Sequence, residues 1–295
     1  RYKNEAFFYL GRIAEAENQY LQAIRSYSRV TEGNNAIEAQ LRAAHILYIN
    51  LDDQEGALLH LREFGIANPN YSSEMLVGQS DILIQLTRQD EAMELLSKGL
   101  EQSPNDDVLN SARVQLYVLQ TQIAKDAEDY QAANQIIDRG LNLYPKNMSL
   151  RYAQALLFQE QDRLIQAVRV LEMLVKDYPS DAGLLNALGY LLTDKMDRHI
   201  EAKGYLERAL NIEPNNPAII DSMGWVLFKL GRNEEALSYL EQALEMFPDP
   251  EVIAHIIDVH WALDNKDTAK QIFQSALKEH PESTHLQELK NRLSP

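Results

Sequence analysis

The sequence predicts an all-α solenoid: about eight helix-turn-helix units followed by a C-terminal capping helix. Three observations carry this. The alanines Ala23, Ala57, Ala92, Ala133, Ala167, Ala202, Ala236 and Ala269 recur at spacings of 34, 35, 41, 34, 35, 34 and 33. The prolines Pro69, Pro104, Pro145, Pro179, Pro214, Pro248 and Pro281 each follow one of these alanines by 12 residues, so two residue types share one irregular ruler. Within a period, apolar residues fall three and four apart, the helical spacing. Self-similarity at such a period is the mark of stacked repeats rather than of two ordinary globular domains.

The predicted units are residues 4–37, 38–72, 73–106, 107–147, 148–181, 182–216, 217–249 and 250–281, with a cap over 282–295, all in one solenoid spanning 1–295. The seventh unit shows the logic. Ile220, Met223, Gly224 and Leu227 form one apolar stripe, Gly231-Arg232-Asn233 the turn, and Ala236, Leu237, Leu240 and Leu244 a second stripe. Gly224 and Ala236 are small where two antiparallel helices approach, and Pro248 stops the second helix because it lacks an N–H. The small residue before the turn is Gly11, Ala155 or Gly189 in other units, but His45, Ser80 and Ile257 elsewhere, where wider helix pairs are expected. Asn35 stands where the first unit's proline would be.

Two units depart from the pattern. The fourth carries seven extra residues between Pro104 and Ala133. Seven residues make almost two helical turns and preserve the helix face, so one long helix is predicted from Asp107 to about Lys125. It is either a tolerated surface extension or a partner or dimer contact. The first unit opens with the aromatic residues Tyr2, Phe7, Phe8 and Tyr9, whereas a terminal cap should be polar outside. Further repeats before it or a contact surface would each account for them. The chain starts at Arg1 and has no signal peptide, so a fragment of something longer is expected.

This arrangement resembles the tetratricopeptide repeat, whose unit of about 34 residues carries the same small residue, alanine and terminal proline. The resemblance implies a right-handed superhelix whose concave wall is lined by the first helix of each unit. Carried over unit by unit, it assigns to that wall Phe8, Arg12, Arg42 and Ile46 in the first two units, then Val77, Asp81 and Gln115. Tyr152, Leu156, Asn186 and Tyr190 follow in the fifth and sixth. Asp221, Trp225, Phe228 and Lys229 come from the seventh, Asp258 and Trp261 from the eighth. The aromatics of the C-terminal half are candidate anchors for a protein or peptide partner, because aromatic side chains dominate interface energetics. The alternative is that they pack in the core. The basic cluster with which some family members clamp a C-terminal carboxylate is missing, and Asp221 stands where a donor would be wanted.

Composition narrows the function. Twenty-eight Lys and Arg against 44 Asp and Glu give a formal charge of −16, which argues against nucleic acid as a partner. No apolar run approaches the roughly 18 to 20 residues of a membrane span. There is no cysteine, hence no disulfide, thiolate ligand or thiol nucleophile. Phosphate loops, nucleophile elbows and zinc-binding His-Glu-x-x-His helices are absent, so neither a cofactor nor catalysis is expected. Glu251, His255 and Asp258 share a helix face, either as a divalent-metal set or as a solvated polar edge.

Leu185-Asn186-Ala187-Leu188-Gly189-Tyr190, Asp221-Ser222-Met223-Gly224-Trp225 and Tyr9-Leu10-Gly11-Arg12-Ile13-Ala14-Glu15-Ala16 look like repeats of proteobacterial tetratricopeptide lipoproteins. Some of these are outer-membrane-anchored periplasmic adaptors that bring carboxyl-terminal processing proteases to cell-wall hydrolases. The resemblance implies a non-enzymatic scaffold of that kind in the periplasm. The repeat region of a larger enzyme, such as a glycosyltransferase, and a cytoplasmic assembly chaperone are the alternatives.

Overall fold

The computed structural model of the protein describes residues 2–293. It is 80% helical, with no strand among the described residues. The chain divides into two compact units, Arg1–Leu150 and Arg151–Pro295, and the boundary falls just inside a helix.

The first unit holds four antiparallel pairs: α1 (Tyr2–Ala16) with α2 (Tyr20–Tyr27), α3 (Ala36–His45) with α4 (Gln54–Ala67), α5 (Ser72–Gln85) with α6 (Gln89–Gln102), and α7 (Asp107–Asp126) with α8 (Tyr130–Leu143). Tyr27 and Ile46 are fully enclosed in the core of the first pairs; Leu61, Met75, Leu96 and Leu109 fill that of the next. His45 does not enter the close approach between α3 and α4. It is exposed, and residues 46–50 continue as a π-helical turn, a local widening of the helix.

Helix α7 runs 20 residues. The Asp106 side chain caps it, accepting from Leu109 N at 2.9 Å and from the Ser73 hydroxyl at 2.6 Å. These bonds, Ser73 foremost, hold the Asp106 carboxyl below the usual carboxylate range. The N-terminal half of α7 is tied to the end of α8. Tyr144 OH donates to Asn110 Oδ1 at 2.6 Å and accepts from Arg113 Nε at 2.7 Å.

On α1, Phe8 is buried, but Tyr2, Tyr9, Leu10 and Ile13 are exposed. Leu188 and Leu191, at the corresponding places of the sixth repeat, are buried.

The second unit contains α9 (Met148–Glu160) with α10 (Leu164–Asp177), α11 (Ala182–Asp194) with α12 (His199–Ile212), α13 (Pro217–Lys229) with α14 (Asn233–Met246), α15 (Pro250–Ala262) with α16 (Lys266–Glu279), and α17 (Thr284–Leu293). In this unit Gly189 and Gly224 have a steric reason. A Cβ on Gly189 would stand 2.6 Å from Leu206, and one on Gly224 would stand 2.7 Å from Leu240. Leu286 and Leu289 of α17 bury against Ala254, Ile257, Ala269 and Ala276, covering the last apolar face.

The ruler of the sequence has a physical counterpart. All eight alanines of the series have no accessible surface. From α4 onward each second helix ends two residues before its proline, as at Ala67 and Pro69 or Met246 and Pro248. One residue of the turn within each repeat adopts the left-handed conformation. These are Asn18, Asp52, Thr87 and Glu128 in the first unit and Asp162, Asp197, Gly231 and Asp264 in the second, with φ between 53° and 77°. This conformation is easy for glycine, tolerable for Asn and Asp, and strained for a β-branched residue such as Thr87.

Candidate functional site

Helices α11, α13 and α15 are the first helices of consecutive repeats. Each is started by a capping side chain: Asp181 accepts from Leu184 N, Asn216 from Ala218 N, and Asp249 from Glu251 N. Pro217 and Pro250 sit at the first helical positions, where the missing N–H costs nothing. Gly189 and Gly224 pull α11 and α13 tightly onto their second helices, which sets the faces these helices show one another.

Residues one repeat apart meet on those faces. Asp221 Oδ1 lies 2.9 Å from His255 Nδ1, and both side chains are at least nine-tenths buried. The His255 ring stacks on Trp225 at 4.0 Å between centroids, with 17° between the planes. Phe228 stacks against Trp225 at 5.3 Å, Lys229 Nζ lies 4.4 Å from the ring centroid, and the indole N–H donates to Asp194 Oδ1 at 3.3 Å. Burial opposes charge on His255, but the hydrogen bond and charge of Asp221, with Glu251 and Asp258 nearby, raise its pKa above the ordinary imidazole value. An imidazolium stacked on an indole and paired with a carboxylate is thus favoured within the protein.

Beside this stack opens a pocket of about 480 Å³. Asn186 and Tyr190 come from α11, Pro217, Ala218, Asp221 and Ser222 from α13, and Phe247, Asp249, Glu251 and Val252 from the end of α14 and start of α15. The Tyr190 hydroxyl donates to Glu251 Oε1. Burial first, then the Glu251 bond and the charges of Glu251, Asp194 and Asp221, lift the phenol well above its usual range, so it remains a donor. His285 Nε2 is 3.9 Å from Glu251 Oε2.

The structure brings together Asn186, Tyr190 and Asp221 as pocket wall and Trp225, Phe228 and Lys229 as the adjoining stack. Trp225 is only 6% exposed. It supports the site from behind and does not offer a free aromatic face, so its truncation is expected to cost about 3 to 5 kcal/mol of stability in a denaturation series. Asp258 is half-buried on α15, beyond His255. Trp261 lies apart, packing against the Ile257, Ala269 and Leu286 cluster with Lys266 near its ring. Tyr152 is half-buried on α9, where burial and the Asp181 charge raise its pKa.

In the first unit, Arg12 and Arg42 join an ion-pair network. Arg42 Nε reaches Glu38 at 2.8 Å, Arg42 Nη1 reaches Glu15 at 3.4 Å, Arg12 meets Glu38 at 3.9 Å, and Tyr27 OH donates to Glu15. Burial and Glu15 push the Tyr27 phenol up. Phe8 and Ile46 are core residues, Val77 is half-buried, and Asp81 and Gln115 are exposed.

Asp194 and the pairing role of His255 were missing from the sequence assignment, which named Glu251 only beside His255 and Asp258 as a metal set or a polar edge. The signal was there in part: Asp221 and His255 are 34 residues apart, one more than the 33 that separates these two repeats, and so lie within one position of each other on neighbouring first helices. His255 turns to Asp221 instead of joining Glu251 and Asp258. Among the described residues no three His, Asp or Glu side chains are placed to hold a metal.

Family models described as tetratricopeptide repeat match residues 149–181, 180–249 and 227–293. Residues 149–293 carry tetratricopeptide repeats. It is also similar to a TPR repeat-containing protein of Pseudomonas aeruginosa, 31% identical over 251 residues, which cover 85% of this chain. The matched part spans 35% of that relative's length.

Among solved structures, PilF of Pseudomonas aeruginosa superposes with a TM-score of 0.55 at 19% identity, covering 76% of this chain and 98% of that one. PilW, a widely conserved type IV pilus biogenesis factor, gives 0.56 at 15%, covering 74% and 98%. A thermophilic TPR protein of Thermus thermophilus gives 0.53 at 20%, covering 61% and 98%. At these identities the structures establish the repeat fold. Tetratricopeptide-repeat proteins act as scaffolds for protein–protein interaction. Among the described residues no helix is long and apolar enough to cross a membrane.

Proposed function

We propose that the chain is a non-enzymatic binding scaffold which holds a segment of a partner protein against the first helices α11, α13 and α15. The observation that carries this is the pocket between those helices, backed by the buried Asp221–His255–Trp225 stack. Such a wall is preorganised: its side chains are locked by one another, so little ordering opposes binding.

The partner in this reading is a periplasmic carboxyl-terminal processing protease, and the scaffold presents cell-wall hydrolases to it from an outer-membrane anchor. Support comes from the likeness of the repeat strings around Gly11, Gly189 and Gly224 to repeats of proteobacterial lipoprotein adaptors. The length of the Pseudomonas relative, of which this chain matches 35%, favours a second reading, in which the repeats are one region of a larger protein with its own activity.

The test is sedimentation of the purified chain with a purified processing protease, with and without a hydrolase substrate. The expected result is a co-sedimenting complex and faster cleavage of the hydrolase. Independent sedimentation and an unchanged cleavage rate would overturn the adaptor reading. Cell fractionation of the full-length protein tests the compartment, with recovery in the outer-membrane fraction expected.

A further inference from the structure

The geometry points to an arginine side chain, presented by an extended segment of the partner, as the occupant of the pocket between α11, α13 and α15. This deepens the binding reading above and rests on it. The argument starts from which groups around the pocket are already committed. Both hydroxyls that line it donate inside the protein, Tyr190 to Glu251 and Ser222 to Ala218 O at 2.9 Å. The amides at the starts of α13 and α15 are answered by their own caps, Asn216 and Asp249, which removes the usual attraction of helix starts for anions.

Acceptors remain. Asp221 gives Oδ1 to His255, and Asp249 gives Oδ1 to the Glu251 amide, so in each carboxylate the second oxygen has no hydrogen-bond partner among the described residues. Glu251 keeps lone pairs beyond its bond to Tyr190. Asn186 contributes a buried Oδ1 that takes no hydrogen bond. A buried acceptor without a donor is costly, and a guest that supplies the donor relieves it.

Three carboxylates line the pocket and no lysine, arginine or histidine does. His255 answers Asp221 from behind and His285 stands 3.9 Å from Glu251, which leaves the Asp249 charge and the free acceptor positions to a guest that donates several hydrogen bonds and carries positive charge. The walls choose between the two basic side chains. Tyr190 and Phe247 provide aromatic surface, and Pro217, Ala218 and Val252 provide apolar surface for a stem. A guanidinium is planar, weakly hydrated, stacks on aromatic rings and presents five donors in a fixed fork; an ammonium is a compact and strongly hydrated point charge. The volume suits a whole side chain with its adjoining backbone. The charge of −16 on the chain acts in the same direction by steering basic segments toward it.

The experiment is a selection of random dodecapeptides displayed on phage against the full chain, with a parallel selection against Glu251→Gln. The expected result is enrichment of arginine at one position of the wild-type binders. A synthetic copy of the strongest binder should lose about tenfold or more in affinity when that arginine becomes citrulline, which keeps the shape and removes the charge. Replacement by lysine should weaken binding less than citrulline does. The citrulline comparison needs no protein variant, so misfolding of Glu251→Gln cannot imitate the result. Binders that lack a cation and bind Glu251→Gln as well as wild type would overturn the arginine assignment while leaving the scaffold reading intact. Recovery of no binders would overturn both.

Discussion

Two charged clusters join neighbouring first helices, one in each unit, and they differ in what surrounds them. In the first unit, Arg42 meets Glu38 and Glu15 at the surface, with side-chain exposures of 34%, 48% and 25%. In the second, Asp221 meets His255 with exposures of 10% and 7%, under the Trp225 ring. The repeat geometry offers the same kind of neighbour in both places. Solvent decides what the pairing does. Exposed pairs are screened and worth little, whereas a buried pair is sensitive to loss of either member because the other is left charged and dry.

The sharpest way to break the comparison is Asp221→Ala. It strands His255 and should cost about 3 kcal/mol or more, read from urea unfolding. Replacing both members, as Asp221→Leu with His255→Phe, should recover most of that loss. A double variant as unstable as the single one would mean that the charge pair itself, and not the penalty of orphaning, sustains this region.

The pH dependence separates the clusters next. The folded pKa of His255 is raised above the unfolded imidazole value of about 6.5. Its pairing contribution is then complete below that value and is lost as pH rises through the folded pKa. Unfolding curves between about pH 5.5 and 8.5 should show wild type losing more stability toward the alkaline end than His255→Gln does. Glu251 and Asp258 on α15, Asp221 on α13 and the neutral Tyr190 phenol on α11 are the other titratable groups on these helices that shape this profile. Parallel curves would show that His255 stays neutral in the folded protein.

The turns offer a smaller contrast. Thr87 and Gly231 hold the same left-handed place in different repeats. Thr87→Gly should stabilise the protein and Gly231→Ala destabilise it, each by about 1 kcal/mol, measured by thermal melting. The smallest effect is expected from Arg42→Ala, under about 1 kcal/mol in low salt and less in high salt. A loss there as large as that of Asp221→Ala would erase the distinction between the clusters.

The fold was legible because the interior of a repeat imposes identity. Ala23, Ala57 and their equivalents are fully buried where helices meet, and Pro69 to Pro281 mark where second helices stop, so both leave a countable trace. The site was legible in part. Asn186, Tyr190 and Asp221 came from counting along single helices. Trp225 was placed on the right helix, but counting along α13 alone does not tell whether a neighbour covers the ring. His255 does so from α15, one residue later in its repeat than Asp221's equivalent place by helix count. Trp261 went instead to the cluster that Ile257, Ala269 and Leu286 form with α17, which counting along α15 alone does not show.

The spacing of partners along the chain has a consequence for how variation is inherited. Asp221 pairs with His255 at 34 residues, Asn110 with Tyr144 at 34, Ser73 with Asp106 at 33 and Asp194 with Trp225 at 31. Plotted as a matrix of energetic coupling, these pairs lie on a band parallel to the diagonal and one period away from it. Recombination that removes or duplicates a whole period slides the chain along that band and gives the residues at the junction new partners of the same geometric class. Recombination that cuts within a period leaves the band altogether. Lineages of such a chain should therefore gain and lose length in steps of a full repeat, with each step re-pairing the side chains at the junction and leaving those beyond it undisturbed.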